Sequence, residues 1–284
     1  MINKGLVLEG GGMRGVYSAG VLDSLLDHGL HFKYIYGVSA GVCHACSYVS
    51  KQRGRASGTV LDFLNDHRYG SFRNWFMTGD YFGEKFVYRD VPDVLLPFDY
   101  AAFEASGQSI YAVVTNVETG KAEYVQLTEL KRDMEWLRAS ASLPLLSRLV
   151  RINGNAYLDG GVADSIPLAR SIADGNTENL VVLTRHSGYV KPPNSSKTIR
   201  WRYRKYPAFV RANELRHEIY NDSLRLIKSE VSAGRALVVQ PCAEVEIGRL
   251  EKSAEKLRSL YADGYRDAEL CIAANPAFFK ALQI

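Results

Sequence analysis

The sequence predicts an α/β protein of three layers, with a mostly parallel central sheet between helices. Two observations carry this. Short apolar runs alternate along the chain with apolar residues at helical spacing. The first two strand-to-helix junctions are also built from glycine, at Gly10-Gly11-Gly12-Met13-Arg14-Gly15 and at Gly37-Val38-Ser39-Ala40-Gly41.

In chain order, the apolar run Gly5–Leu8 meets the first glycine loop. Ala19, Leu22 and Leu26 then fall on one helical face, and Gly29 is a natural stop. Tyr34–Val38 predicts a second strand, with a helix beginning after Ser39. Ile110–Val114, Leu180–Leu183 and Ala236–Val239 read as further sheet members. Between Leu149 and Leu158 the pattern alternates around the turn Asn153-Gly154-Asn155, which predicts a hairpin with Asp159 at its exit. Ile247, Leu250, Ala254, Leu257 and Tyr261 keep spacings of three and four, a helix that would pack on the sheet. No repeat and no long linker divides the chain. One domain over residues 1–284 is expected, with the motifs in about 5–185 and a helical part over about 207–284 packed on them.

The pentapeptide G-x-S-x-G at 37–41 is the most informative feature. A sharp strand-to-helix turn strains the backbone of its central residue, and only small neighbours let strand and helix cross there. Gly37 and Gly41 meet that need. Ser39 would then project beyond the strand, close to the N–H groups that open the next helix, which makes it the candidate nucleophile.

The loop at 10–15 leaves its backbone N–H groups uncovered, so it suits an anion: a phosphate, or the oxyanion of a tetrahedral intermediate. It also fits G-x-G-x-x-G, the dinucleotide fingerprint. That fingerprint calls for an acidic residue about 20 positions on, at the end of the second strand. Here the place holds Gly-Val-Ser-Ala-Gly, and the nearest acid, Asp27, falls within the first helix pattern. Nucleotide binding is therefore the weaker reading. Asp159-Gly160-Gly161 sets a carboxylate before two residues that allow another backbone to approach closely, as a base must when it meets a serine on a different strand.

Glycine loop with Arg, G-x-S-x-G and then D-G-G, in this order and spacing, resemble the patatin-like phospholipase family. The segment Ala139-Ser140-Ala141-Ser142-Leu143-Pro144 also looks like that family's approach to its aspartate. The resemblance covers residues 5 to about 185, and the tail 247–270 looks like that of a bacterial branch. It implies a lipid acyl hydrolase using a Ser–Asp dyad without histidine. Ser39 would be the nucleophile and Asp159 the base. The N–H groups around Gly11, Gly12 and Met13 would form the oxyanion hole, with Arg14 bracing the loop between Gly10 and Gly15.

An Asp near its ordinary pKa of about 3.9 is a poor base for a hydroxyl at neutral pH. Burial near Leu143–Leu149, or a preorganised oxyanion hole, would have to compensate. A rival is the α/β-hydrolase triad, with His186 at the end of the 179–185 strand, or His217, completing it. Against it, Ser39 follows the glycine loop too closely to leave room for that fold's extra strands. His28, His31, His44 and His67 show no metal-ligand spacing and read as surface or packed residues.

With 46% hydrophobic and 23% charged residues in a chain of 284, one sizeable core or two small ones can be buried. No apolar run approaches a membrane span. The opening residues meet Glu9 too early for a secretory leader, so a cytoplasmic location is expected. Cys43, Cys46, Cys242 and Cys271 lack a second pair at ligand spacing and read as buried thiols in a reducing compartment. No metal and no cofactor is expected.

Two stretches bear on substrate. Nine aromatics fall between Phe63 and Tyr88, against 11% over the chain, and would form an acyl-chain cleft, a lid or ordinary core. Arg200-Trp201-Arg202-Tyr203-Arg204-Lys205-Tyr206, after the loop-like 191–197, interleaves cations with aromatics. By residue type it suits a solvated face, peripheral contact with an anionic membrane or single-stranded nucleic acid; beside the esterase motifs the first two are the readings kept, and no nucleic acid is expected. The reading is thus a serine lipid acyl hydrolase acting on a lipid or other ester. The alternative is a silent or regulatory lipid-binding protein on the same fold.

Overall fold

The computed structural model describes residues 3–193 and 196–283. β1 (Lys4–Leu8) leads through a 3₁₀ turn over Gly12–Gly15 into α1 (Val16–Asp27), and β2 (Tyr34–Val38) leads into α2 (Ala40–Val49). Next come α3 (Arg55–Leu61), α4 (Phe72–Thr78), a wide π-type coil over Phe86–Leu95 and α5 (Tyr100–Glu104). β3 (Ser109–Asn116), β4 (Ala122–Leu127) and α6 (Leu130–Ser140) precede the hairpin of β5 (Val150–Ile152) and β6 (Asn155–Asp159). The chain continues through α7 (Leu168–Ala173), β7 (Glu178–Val182), α8 (Lys197–Arg202), α9 (Pro207–Ser232) and β8 (Ala236–Val239). It closes with α10 (Ala254–Ala274) and α11 (Pro276–Lys280).

The strands make one sheet in the order β5-β6-β3-β2-β1-β7-β8, with β4 also on β3. β1, β2, β3, β7 and β8 are parallel, while β4 and the hairpin are antiparallel. Both faces are covered, so the last three positions of β1 (Leu6–Leu8) and of β7 (Leu180–Val182) are all apolar, and alternate residues serve opposite layers. Leu6, Leu8, Leu180 and Val182 pack with residues of α1, α2 and α10. Val7, Val181 and Leu183 pack with α7 and α9 through Leu168, Tyr220 and Ile227. Burying each such side chain stabilises the fold by about 1.5–3 kcal/mol.

Gly29, at φ 63°, lies just past the end of α1 and takes the left-handed conformation that closes it. α1 and α10 cross closely because both lack a side chain at the crossing. A Cβ on Gly20 would lie 2.1 Å from the Tyr261 carbonyl, and one on Gly264 2.1 Å from the Tyr17 carbonyl. The Tyr17 hydroxyl donates to Asp267 at 2.8 Å and Tyr261 to Asp23 at 2.7 Å, fixing the pair.

Three sequence expectations change. The C-terminal helix starts at Ala254, where the Ser253 hydroxyl accepts from the Lys256 N–H, and Ile247 and Leu250 belong to the irregular segment before it. Their helical spacing arose because Ile247 is buried from a loop. β4 was not foreseen, since five of its six residues are half-buried or exposed and leave no sharp period. Cys242 is exposed, unlike Cys46, and all four cysteines are free. Within the loop expected over 191–197, Asn194 and Ser195 lie outside the described residues, and the Ser196 hydroxyl caps α8. Among the described residues no helix is long and apolar enough to cross a membrane, and no His, Cys, Asp and Glu cluster could hold a metal.

Candidate active site

Ser39 takes φ 55° and ψ −127°, a conformation that costs a non-glycine residue about 1–3 kcal/mol. Its surroundings fix it there. The Ser39 N–H donates to the Ser140 hydroxyl at 3.0 Å, and that hydroxyl donates to the Val113 carbonyl at 2.7 Å. The Ser39 carbonyl already accepts the first bond of α2, from Cys43 N–H at 3.2 Å. A Cβ on Gly37 would lie 2.6 Å from the Val42 Cα, and one on Gly41 would lie 2.8 Å from the Leu8 and Glu9 carbonyls. Neither position has room for a side chain.

Sheet register brings Asp159 to the same place. Val113 on β3 pairs with Val38, the last residue of β2, and the next residue, Val114, pairs with Asp159. β4 occupies the other edge of β3 over Ile110–Thr115, so β6 takes up the edge that β2 leaves. Asp159 is 3% exposed. Its N–H donates to the Ser142 carbonyl at 2.8 Å, and its carbonyl accepts from Thr115 Oγ1 at 2.9 Å. Gly160 passes so close to β3 that a Cβ would lie 2.1 Å from the Val113 carbonyl.

Of the carboxyl oxygens, Oδ1 accepts from the Gly161 N–H at 2.8 Å, whereas Oδ2 is buried without a partner. Burial raises the pKa of this carboxyl above the ordinary range, and the nearby Arg216 opposes the rise most. The Ser39 hydroxyl is near enough to pull the same way as Arg216, but among the described residues no hydrogen bond reaches Oδ2.

The glycine loop passes directly over this pair. A Cβ on Gly10 would lie 3.1 Å from that of Ser39, and one on Gly15 would lie 2.5 Å from that of Ala40. Gly12 takes φ 57°. Among the described residues the N–H groups of Gly10, Gly11 and Gly12 make no hydrogen bond, whereas Met13 N–H donates to the Arg249 carbonyl at 3.3 Å. Arg14 is buried; its Nη1 donates to the Ile247 carbonyl at 3.2 Å, and burial lowers its pKa to about 10.

Two cavities meet at Ser39, with Gly12 and Leu143 on their shared boundary. One, of about 110 Å³, is walled by Val60, Tyr69, Phe82, Val87 and Tyr88. The other is small and polar and brings together Ser39, Asp159 and the glycine loop with Glu9, Arg185, Lys191, Arg216 and Arg249. Wider grooves of about 580 Å³ beside α10 and 690 Å³ beside α4 contain neither Ser39 nor Asp159.

The aromatic stretch divides accordingly. Tyr69, Phe82 and Tyr88 line the apolar cavity, while Phe72, Trp75 and Phe76 on α4 are exposed. The basic stretch is also divided: Tyr203 is buried and its hydroxyl accepts from Leu145 N–H, Arg200 pairs with Glu214 at 2.6 Å, and Trp201 is 67% exposed.

Among the described residues no histidine makes a hydrogen bond to Ser39 or Asp159. The His186 ring packs against Tyr189, and His217 Nδ1 lies 2.9 Å from the Glu214 carbonyl. His44 is buried beside the apolar cavity, and burial lowers its pKa to about 4, so it is neutral. Sequence reasoning had not singled out Thr115, Arg216 or Arg249, and Ser140 had entered only as part of the segment 139–144. The serine and threonine act on backbone distant in sequence, and the arginines sit in patterns that carry no motif.

Comparison with known proteins agrees with this architecture. The family model described as Patatin-like phospholipase matches residues 6–171, and the chain belongs to that family. A second model, a domain of unknown function (DUF6363), matches residues 206–280. An uncharacterised Escherichia coli protein, YjjU, is 28% identical over 202 residues, covering 69% of this chain and 56% of its own. Lysophospholipase NTE1 of Eremothecium gossypii is 26% identical over 60% of this chain but only 11% of its own. The invertebrate iridescent virus 6 protein named "Probable lipid hydrolase 463L" is 27% identical, over 62% of this chain and 66% of its own. The chain thus spans little more than half the length of the first relative and about a tenth of the second. The structure of VipD from Legionella pneumophila shares the fold, with a TM-score of 0.52 at 11% identity over 96% of this chain and 67% of that one.

The raised pKa of Asp159 has a stability consequence. The folded state holds the proton more tightly than the unfolded one. The stability this contributes is fully present below the unfolded value of about 3.9 and is lost as pH rises through the folded value. Asp159→Asn removes that loss. Its melting temperature should exceed that of the wild type at pH 7, and calorimetry at stepwise lower pH should show the gain vanish toward pH 4.

Proposed function

We propose that this chain is a lipid acyl hydrolase in which Ser39 attacks an ester carbonyl and Asp159 takes the hydroxyl proton. The observation that carries this reading is the meeting of a strained serine, a buried carboxylate oxygen without a partner and a glycine loop with three unused N–H groups. Relatives named as a lysophospholipase and a lipid hydrolase support the substrate class.

The chemistry then runs in two balanced halves. The Ser39 oxygen bonds to the carbonyl carbon as its proton passes to Asp159, and the carbonyl electron pair moves onto oxygen, facing the N–H groups of Gly10–Gly12. Collapse breaks the bond to the alcohol, which leaves with the proton held by Asp159. Water attacks the acyl-enzyme as Asp159 takes one of its protons, and Ser39 recovers that proton on leaving the fatty acid. The raised Asp159 pKa brings the base nearer the working pH. One well-placed oxyanion donor contributes about 3–4 kcal/mol. The cavity walled by Tyr69, Phe82 and Tyr88 suits the acyl chain.

The exposed side of the molecule supports contact with a lipid surface. α4 presents Phe72, Trp75, Phe76 and Met77, and Trp75 and Phe76 share a groove with Arg148 and Arg202. Aromatic side chains beside cations suit an anionic bilayer, at about 1 kcal/mol per basic residue near the surface.

Ser39→Ala should lower hydrolysis of a lysophospholipid and of a p-nitrophenyl ester by about 10³-fold or more, with an unchanged circular dichroism spectrum. Equal rates would remove Ser39 from the mechanism. In vesicle co-sedimentation, the double variant Phe76→Ser, Trp201→Ser should bind phosphatidylglycerol vesicles less than wild type; undiminished binding would exclude this face as the membrane contact.

A further inference from the structure

Several arginines of the chain are neutralised by neighbouring acids, and among the described residues those gathered at the small polar cavity are not. Arg53, Arg68, Arg138, Arg148, Arg170 and Arg235 each lie within 3.1 Å of a carboxylate. Arg185, Lys191, Arg216 and Arg249 converge beside Ser39, and among the described residues none of their side chains has an ion-pair partner. The two carboxylates in the cavity are engaged otherwise. Glu9 accepts from Thr184 N–H at 2.6 Å and from the Tyr220 hydroxyl at 2.7 Å, and Asp159 accepts from Gly161 N–H. Among the described residues Arg216 Nε is buried with no acceptor.

We propose that these four residues form a subsite for a phosphoryl group carried on the alcohol side of the ester that Ser39 cleaves. The assignment of that group to the substrate rests on the hydrolase reading above. With Arg14 these four cations outnumber the two carboxylates of the cavity, and such an excess of like charge destabilises the folded state, so a site that keeps it is completed by an anion. Burial and mutual repulsion bring Lys191 to about 7 and Arg216 to about 10, the direction expected of an unfilled anion site.

Cations approaching from several elements suit a tetrahedral group with several oxygens, whereas one arginine fork already satisfies a carboxylate. The free space is about 20 Å³, little more than one water needs, so a phosphoryl group enters only as the exposed Arg249 on the cavity wall gives way. Because the apolar cavity and the cation-lined cavity meet at Ser39, the acyl chain and the phosphoryl group occupy separate cavities that share the reacting serine.

The cations are held in place by contacts that reach the glycine loop and α9. The Arg249 carbonyl accepts from Met13 N–H, and Lys191 exchanges two hydrogen bonds with the Asn221 side chain, at 2.9 and 3.1 Å. Arg216 and Arg249 both belong to the segment matched by the domain of unknown function, at 206–280. That segment thereby acquires a role: it completes the substrate site from outside residues 6–171.

Binding is measured first on Ser39→Ala protein, so that turnover plays no part. Inorganic phosphate should raise its melting temperature, where sodium chloride of equal ionic strength does not. Adding Arg249→Ala or Lys191→Met should abolish the rise, Arg249→Lys should keep part of it, and Arg225→Ala on the exposed side of α9 should keep all of it. Absence of a phosphate-specific rise, or its survival in Arg249→Ala and Lys191→Met alike, overturns the subsite.

The source of the anion is then read from kcat/KM for lysophosphatidate against monoacylglycerol of the same chain. Wild type should favour the phosphorylated ester by about tenfold or more, and Arg249→Ala should reduce that ratio about tenfold. A ratio near one, with phosphate binding intact, assigns the subsite to free phosphate and overturns the substrate assignment while leaving the hydrolase reading. Failure to cleave either ester overturns the hydrolase reading, while the melting data still decide the subsite.

Discussion

The site depends on how β3 shares one of its edges. β2 uses that edge as far as Val113, and β6 takes it from Val114 onward. The chain of β2 can leave the sheet at Ser39 only because another strand fills the vacated edge, and that strand arrives carrying Asp159. The end of α6 and the residues just after it secure both ends of this exchange. Ser140 holds the Ser39 N–H and the Val113 carbonyl, and the Ser142 carbonyl holds the Asp159 N–H. A shift of one residue in this register would turn Asp159 to the opposite face of the sheet.

Electrostatics makes the same place costly. A carboxyl with one unpartnered oxygen is buried next to a strained serine, and unpaired cations crowd the adjoining cavity. Such groups are tolerated where the surrounding structure over-determines them, here through β1, β2 and β3 with both faces of the sheet buried. The stability of the sheet core thus supports chemistry that is locally unfavourable, as expected when a fold preorganises a site instead of relaxing it.

Much of this was legible in the sequence, because glycine reports backbone constraints directly. Gly37, Gly41 and Gly160 stand where any Cβ would strike a neighbouring strand or helix, and each flanks a side chain singled out from sequence. The parallel strands were legible too, since burial on both faces leaves apolar runs. What escaped acts over distance. Ser140 meets Ser39 from 101 positions away, so the segment 139–144 could be marked by its pattern without revealing this contact. Arg216 and Arg249 sit in stretches whose charges look like any solvated helix or loop. Ile247 imitated the start of a helix because a buried loop residue happened to fall at helical spacing. Tyr203 looked like part of an exposed aromatic–cation band, yet it belongs to the core beneath α9.

The central claim is that Ser39 is a nucleophile activated by its placement against Asp159 and the glycine loop. Intact-protein mass spectrometry after exposure to a fluorophosphonate ester tests it most directly, on wild type, Ser39→Ala and Asp159→Asn. The account predicts a single adduct that maps to Ser39, is absent from Ser39→Ala and forms more slowly in Asp159→Asn. An unmodified wild type that is folded, or an adduct that persists in Ser39→Ala, would contradict it.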